Sequence, residues 1–494
     1  MAKARPHNDT RRQMVVRNRP IHQLRLDPKN PRIHTARQIR QIARSIESFG
    51  FNVPILVDGD GQVIAGHGRL MACQQLGWAE VPTIALEHLT EAQARAFMIA
   101  DNRLTENSTW DNRLLAEQLK ELSAQELDFN LETIGFDPAE IDLRIGDLTP
   151  QDDQQQDPAD LIEKPAVGPP ASRPGDLFIL GRHRVHCGSA LDQVSYTTLM
   201  QGQRAAMVFT DPPYNIPIQG NVSGLGAIQH RDFAMGSGEM HEAQFSEFLT
   251  QACSLMARHS ADGSLHFIFI DWRHLGELLT AGRSVYAELK NLCVWVKNHT
   301  GMGALYRSRY ELIFVFKHGR SSHRNNILLG KYGRDRTNVW SYPSPRTASD
   351  EGNLLALHPT VKPVRLVADA MLDCTRRGEI VLDAFLGSGT SVIAAERVGR
   401  CCYGLELDPV YVDTTVRRWQ AYTGDDAHHD STGKSFNKLA AERAKETRKC
   451  QPKSVMVNRR GRLAFARGSR AIPEAGRAVQ EISRASSRRR SPSR

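Results

Sequence analysis

The chain has no run of 18 consecutive apolar residues, which excludes an ordinary membrane-spanning helix. Its basic start, MAKARPHNDTRRQ, has no apolar stretch behind the charges and so does not read as a secretory signal. Cysteine is sparse: eight residues, only Cys401 and Cys402 adjacent, and no C-x-x-C pair. That spacing excludes zinc ribbons and a disulfide framework; it predicts no metal site and fits a reducing cytosol. Aspartate is missing from Ser431 onward, where 18 Lys and Arg face 4 Glu. Because the whole chain is only +9, the rest of it is net −5, and the tail alone makes the protein basic. The tail ends SRASSRRRSPSR and lacks the apolar content to fold, so residues 448–494 are expected to be a disordered basic arm. Such an arm suits a polyanion such as DNA, and a merely solubilising tail fits the charge equally well.

What is present divides in two. The segment TPQDDQQQDPADLIEKPAVGPPASRPG (149–175) is rich in Gln, Asp and Pro, lacks apolar periodicity and reads as a linker. Before it, ARQIRQIARSIESFG places Ile39, Ile42, Ala43 and Ile46 on one helical face with Gly50 as a stop. VPILVDGDGQVIAGHGRL predicts two short strands around a DGDG turn; a helix, another strand and, from Thr90, a helical pattern follow. After the linker, apolar strands such as AAMVFTD, GSLHFIFID, EIVLDAF and CCYGLEL alternate with helical stretches, predicting an α/β fold whose mostly parallel sheet is covered on both faces. LCVWVKN and YELIFVFKHG are expected to form an antiparallel pair at one edge.

Two strand ends carry candidate chemistry. EIVLDAFLGSGTSVIAAERVG is a strand, a glycine turn and a helix: Gly387 and Gly389 permit positive φ and close approach to a ligand, and Ser388 or Thr390 can cap the helix. Glu406 ends the next strand, 19 residues beyond Gly387, the distance at which dinucleotide folds place a ribose-binding acid. The third glycine of a pyrophosphate cradle is missing, which favours an adenosine ligand without a pyrophosphate; a plain strand-to-helix turn fits the glycines alone. The other strand runs into Asp211-Pro212-Pro213-Tyr214. The prolines stiffen the turn and have no N–H, leaving carbonyls in need of a donor. With the Asp211 carboxylate as a second acceptor and Tyr214 as a flat face, the turn suits an exocyclic amine on a nucleobase; a tight proline turn with a packed tyrosine is the plainer reading.

DPPY, followed far downstream by DAFLGSGT and GLELDP, resembles the S-adenosylmethionine-dependent amino-DNA methyltransferases, and this order resembles their permuted β group. HPTVKPVRL (358–366) resembles that family's cofactor-side motif, and the match covers about residues 175–447. It implies a Rossmann-like domain over 176–447, double-stranded DNA as substrate, and transfer to adenine N6 rather than cytosine N4, since Asp and not Ser precedes PPY. By the same resemblance, Asp211 and the Pro212 carbonyl accept the amine's hydrogens, Pro213 completes the rigid turn and Tyr214 stacks on the flipped base. Asp383, Phe385, Gly387, Ser388, Gly389 and Thr390 form the cofactor floor, Glu406 holds the ribose, and Thr360 and Lys362 lie near the methionine end. HCGSALD departs from the family at Gly188-Ser189, where many relatives have Gly-Asp, with Asp192 the nearest acid. The polar loop 217–240 and the basic, aromatic stretch 318–346 with Tyr332, Trp340 and Tyr342 are candidate DNA contacts.

The front domain, 19–145, resembles over roughly residues 19–105 the ParB-like N-terminal domain, a small α+β unit also found in sulfiredoxin-like nucleotide binders. Gly66-His67-Gly68-Arg69 stands where partition proteins have G-E-R-R; Arg69 and the glycines could cradle a phosphate, and His67 reads as a surface histidine, with a catalytic role the alternative. The combined expectation is a cytoplasmic, nucleoid-associated DNA methyltransferase with an accessory front domain that takes DNA or a nucleotide. The alternatives are a cytosine-N4 enzyme and a non-catalytic ParB-like adaptor, and the resemblance also allows a homodimer.

Overall fold

The computed structural model describes residues 14–125, 127–148, 157–160, 168–215, 238–298, 300, 305–327, 336–344 and 361–450. Thr360, Tyr332, nearly all of the loop 217–240 and the tail beyond residue 450 lie outside these residues. The compact unit that ends at Glu446 holds two sheets.

The front sheet has four strands, β1 (Val16–Pro20), β2 (Ile55–Val57), β3 (Val63–Ala65) and β4 (Glu80–Ala85), in the order β1-β4-β2-β3. The DGDG turn joins β2 and β3 as expected: the Asp58 carboxylate accepts from Asp60 N at 2.9 Å and Gln62 N at 2.8 Å. The helix Ala36–Phe49 starts where the Thr35 hydroxyl accepts from Gln38 N, buries Ala43 and Ile46, and stops at Gly50 with φ 80°. From Thr90, whose capping box with Gln93 opens the helix Glu91–Glu106, the chain is helical through Asn112–Ala124 and Pro138–Gly146.

The second sheet has ten strands: β5 (Leu177–Leu180), β6 (His183–Cys187), β7 (Ala205–Thr210), β8 (Ser260–Ile270), β9 (Glu288–Val296), β10 (Tyr310–Lys317), β11 (Val339–Ser341), β12 (Ile380–Asp383), β13 (Cys401–Glu406) and β14 (His428–His429). Their order is β11-β9-β10-β8-β7-β12-β13-β6-β5-β14. The five central strands, β8 to β6, are parallel, while β10 and β5 run against their neighbours, so the sheet is mixed, with a parallel heart. The β9–β10 pair is antiparallel, with β11 outside it. Alternation along each strand feeds two apolar layers: Met207 and Phe209 enter the one with Val364 and Val367, Val208 the one with Phe245, Phe248 and Leu249. The chain winds outward in opposite directions from β7 and β12, so the switch point of the sheet lies between their carboxyl ends, where a crevice for a ligand is expected.

The stretch read as a linker is docked in two places. Asp157 pairs with Arg397, and Asp160, buried, accepts from Val364 N at 2.7 Å at the start of the helix Val364–Cys374. Further on, Ala171 N and Ser172 N donate to Asp413 at 2.7 and 2.8 Å. Low apolar content hid this docking because hydrogen bonds make much of it, with only the small side chains Ala159 and Ala171 meeting the apolar core.

Candidate active site

Asp211 follows β7 directly, and Thr210 ties that strand to β12: its hydroxyl donates to Asp383 Oδ1 at 2.8 Å. Asp383 also accepts from Phe385 N at 3.2 Å and from the Ser391 hydroxyl at 2.6 Å. Burial pushes its carboxyl up to about 6 despite these bonds. Asp383 is thus a buried brace beneath the glycine turn.

The turn has Gly387 at φ 55° and Gly389 at φ 82°. Gly389 itself is the N-cap of the helix Thr390–Val398, and no side chain caps it, so the expected capping by Ser388 or Thr390 does not occur. The Thr390 hydroxyl and the Ser388 carbonyl instead accept from Arg418, each at 3.1 Å. Glu406 Oε2 accepts from Gly387 N at 2.7 Å and its Oε1 from Asp408 N at 2.8 Å. Burial raises the Glu406 carboxyl to about 7. Phe385 packs 5.9 Å from Phe248, centroid to centroid, beside the turn. Asp192 caps the helix Gln193–Met200 through Val194 N and Ser195 N, and is committed there.

Across the switch point, Asp211 has both oxygens engaged. Tyr214 donates its hydroxyl to Oδ1, and Lys362 donates to Oδ2. The same Lys362 nitrogen lies 3.0 Å from Glu311 Oε2, and Lys297 holds Glu311 Oε1 at 2.6 Å. Burial would push Glu311 up, but Lys362 and Lys297 outweigh it and hold its carboxyl at about 2. Asp211 moves the other way: burial and the neighbouring Glu311 raise it against the pull of Lys362. Lys362 thus sits among carboxylates at the Asp211 end of the crevice. Among the described residues the Pro212 carbonyl accepts no hydrogen bond, although Pro212 is buried. Asn215, at φ 55°, donates to Met240 O at 2.7 Å and accepts from Gly238 N and Met240 N at 3.1 and 3.2 Å. It pins the far end of the loop that leaves the DPPY turn. Sequence reading missed Glu311 and Asn215; Asn215 had a signal in directly following the motif, and Glu311 stood out only as an acid in an apolar strand.

Two other expectations change. Trp340 is buried, its indole N–H donating to Thr337 O at 3.1 Å, and the Tyr342 hydroxyl donates to Asp369 at 2.6 Å. Arg336 is held against Asp373 and Tyr342, so these members of the 318–346 stretch are packed inward and are not offered to DNA. His67 is buried rather than on the surface: its Nε2 accepts from Asp27 N at 3.3 Å, and burial lowers its basicity.

This geometry agrees with the comparisons. A family model described as "DNA methylase" matches residues 205–417, from the start of β7 into the helix that pins the glycine turn. The ParB N-terminal domain matches 5–102, and a ParB-methyltransferase HTH domain matches 113–174. The ParB-like nuclease domain-containing protein YnaK of Escherichia coli is 43% identical over 75 residues, 15% of this chain and 86% of that one. The chain is a ParB-like domain joined to a DNA methylase of the N6/N4 family. The type II methyltransferase M2.MboI of Moraxella bovis is 25% identical to it over 255 residues, covering 48% of this chain and 88% of the relative. The crystal structure of an M1.HpyAVI-SAM complex is 17% identical, with a TM-score of 0.34, covering 48% of this chain and 98% of that one. Within the ParB–methylase chain, the methylase match takes in Asp211, Asp383 and Glu406, and the HTH match takes in the docked stretch 157–160.

Proposed function

We propose that this DNA methylase transfers the methyl group of S-adenosylmethionine to the N6 amine of adenine in double-stranded DNA. The observation that carries the reading is the meeting of the Asp211–Tyr214 turn and the Gly387–Glu406 cradle at adjacent strand ends, with a Pro212 carbonyl that accepts no hydrogen bond among the described residues. The residues suit that cofactor. Glu406 is a carboxylate with lone pairs to spare for ribose hydroxyls, Phe385 offers an apolar face for adenine, and Gly387 brings the backbone close. When bound, S-adenosylmethionine supplies a methyl group that its sulfonium already makes electrophilic, so alignment is the main task left to the protein. Asp211 and the Pro212 carbonyl hold the two amine hydrogens, which turns the nitrogen lone pair out of conjugation and toward the methyl. Asp211 would be placed to take the proton that the amine releases once it has gained the methyl group. Tyr214 gives the flipped base a stacking face, repaying part of the few kcal/mol that leaving the helix costs, on the order given for base flipping.

DNA needs a basic rim on the same edge. Arg273 stacks over Trp272 just after β8, and Tyr306, Arg307 and Arg309 precede β10, whose start pairs with the ends of β9 and β8. Tyr306 is 84% exposed, and exposed aromatics among arginines suit bases and phosphates. Adenine rather than cytosine is favoured by Asp211 in place of a serine. In the front domain we propose a phosphate-bearing ligand at Gly66–Arg69, because the Arg69 side chain folds over Gly66 and its Nε has no hydrogen-bond partner among the described residues. A cytoplasmic, nucleoid-associated enzyme is the matching location, and a homodimer is compatible with this reading. The test incubates the full chain with unmethylated DNA and labelled S-adenosylmethionine, then digests the product. Label in N6-methyldeoxyadenosine is expected; label in N4-methyldeoxycytidine would overturn the choice of base, and no labelled nucleoside would overturn the activity.

A further inference from the structure

The Asp211 carboxylate that the target amine needs is already engaged. Tyr214 holds one oxygen and the Lys362 ammonium the other, so an incoming –NH2 competes with one of them for its acceptor. Lys362 cannot move far. It is buried, 4.8 Å from the Phe269 ring centre and 5.9 Å from those of Tyr214 and Trp295. An ammonium in such a cage is costly without an anion. Glu311 Oε2 already lies 3.0 Å from the same nitrogen, on β10, two strands away from β7. Lys297 fixes the other Glu311 oxygen at 2.6 Å, so the carboxylate is anchored where it stands.

We propose that Glu311 is a positioning residue that takes Lys362 from Asp211 when the target amine arrives. The inference rests on the methyltransferase reading. Lys362 keeps Asp211 charged and ordered before base entry and stays paired to Glu311 afterwards. Asp211 is thereby freed to accept the amine hydrogen without leaving a buried cation alone. No bond is made or broken in the hand-over. Lys362 exchanges one of two carboxylate partners, and Glu311 never touches the base.

Three variants test it: Glu311→Gln, Lys362→Met and the pair combined, each in the full chain, with single-turnover methyl transfer measured at saturating DNA and S-adenosylmethionine. Glu311→Gln leaves Lys362 locked on Asp211 and should slow transfer about tenfold, the worth of one charged hydrogen bond. Cofactor affinity should stay within about threefold, since Glu406 and the glycine turn are untouched. Adding Lys362→Met should recover part of the lost rate, because the obstruction is removed with its keeper. A double variant as slow as Glu311→Gln, or a Glu311→Gln variant as fast as wild type, would overturn the proposal. If the wild type methylates nothing, the methyltransferase reading fails, and a double-mutant cycle on unfolding free energy decides the inference instead. Coupling between Glu311 and Lys362 supports the shared cation, and additivity overturns it.

Discussion

Asp383, Glu406 and Asp160 are carboxyls that the fold pushes up, to about 6, 7 and 6, because each is buried. In the unfolded chain such groups titrate near 4. The folded protein therefore holds their protons longer, and the stability they contribute is full below about pH 4 and lost as pH rises through 6 to 7. Glu311 and Glu396, both held at about 2, act in the opposite window: their contribution is present above the unfolded value and lost as pH falls toward 2. Histidines that burial makes less basic, such as His67 and His266, work against this trend, so the test is a difference: the unfolding free energy of wild type relative to Asp383→Asn, measured by denaturant from pH 4.5 to 7.5, should decline as pH rises. An unchanged slope would show that Asp383 is not the buried acid described. At this scale the sequence was readable where a motif was contiguous, as at Asp211–Tyr214 and Gly387–Gly389. Glu311 was not, because its partners Lys362, Lys297 and Tyr214 come together only when β10 is placed two strands from β7. His67 misled for a related reason: the N–H that its ring accepts from belongs to Asp27, 40 residues earlier in the chain.

The elements themselves were legible, because period-2 and period-3.6 apolar patterns report which face is buried. Every strand named from the sequence after the linker is present, and the β9–β10 pair is antiparallel as expected. Pattern could not reveal that β11 caps that pair, and so Trp340 passed for an exposed aromatic when it is a buried strand residue. The glycine turn makes the sharper prediction. A Cβ at Gly389 would stand 2.6 Å from Thr415 Cγ2 at φ +82°, and Thr415 is itself buried and bonded to Gly387 O at 3.0 Å. Gly389→Ala should cost roughly 1–3 kcal/mol in stability, from backbone strain and overpacking together. Thermal unfolding measures the cost, and the variant should also bind S-adenosylmethionine more weakly. Wild-type melting and binding would mean the turn is not under the constraint described.

Across the whole molecule, the front domain is joined to the methylase at the amino edge of the parallel strands, opposite the proposed site. Arg400, at the start of β13, is fully buried and uses all five N–H donors: Asp142 Oδ1 and Oδ2 at 3.0 and 2.7 Å, Thr375 Oγ1 and O at 3.0 and 2.8 Å, and Val398 O at 2.6 Å. Glu132 bridges Arg44 of the front helix and Arg376 of the methylase, at 3.8 and 2.9 Å. Asp142→Ala strands a buried guanidinium and should destabilise the protein by about 3–5 kcal/mol, seen as a lower denaturant midpoint. This docking was invisible in the sequence because ion pairs between distant segments leave no periodic trace. The basic tail belongs to this scale too: if it meets phosphates, removing residues 448–494 should weaken DNA binding and reduce its salt dependence, whereas an unchanged slope would make the tail a solubiliser. The central claim is that Asp211 draws the target amine toward the methyl group. The most direct test compares wild type with Asp211→Ala in single-turnover methyl transfer and in S-adenosylmethionine affinity. Transfer should fall about a hundredfold or more, as when a pre-organised hydrogen-bonding group is lost from a reacting centre, while cofactor affinity stays within about threefold. Transfer at the wild-type rate, or a loss matched by lost cofactor binding, would contradict it.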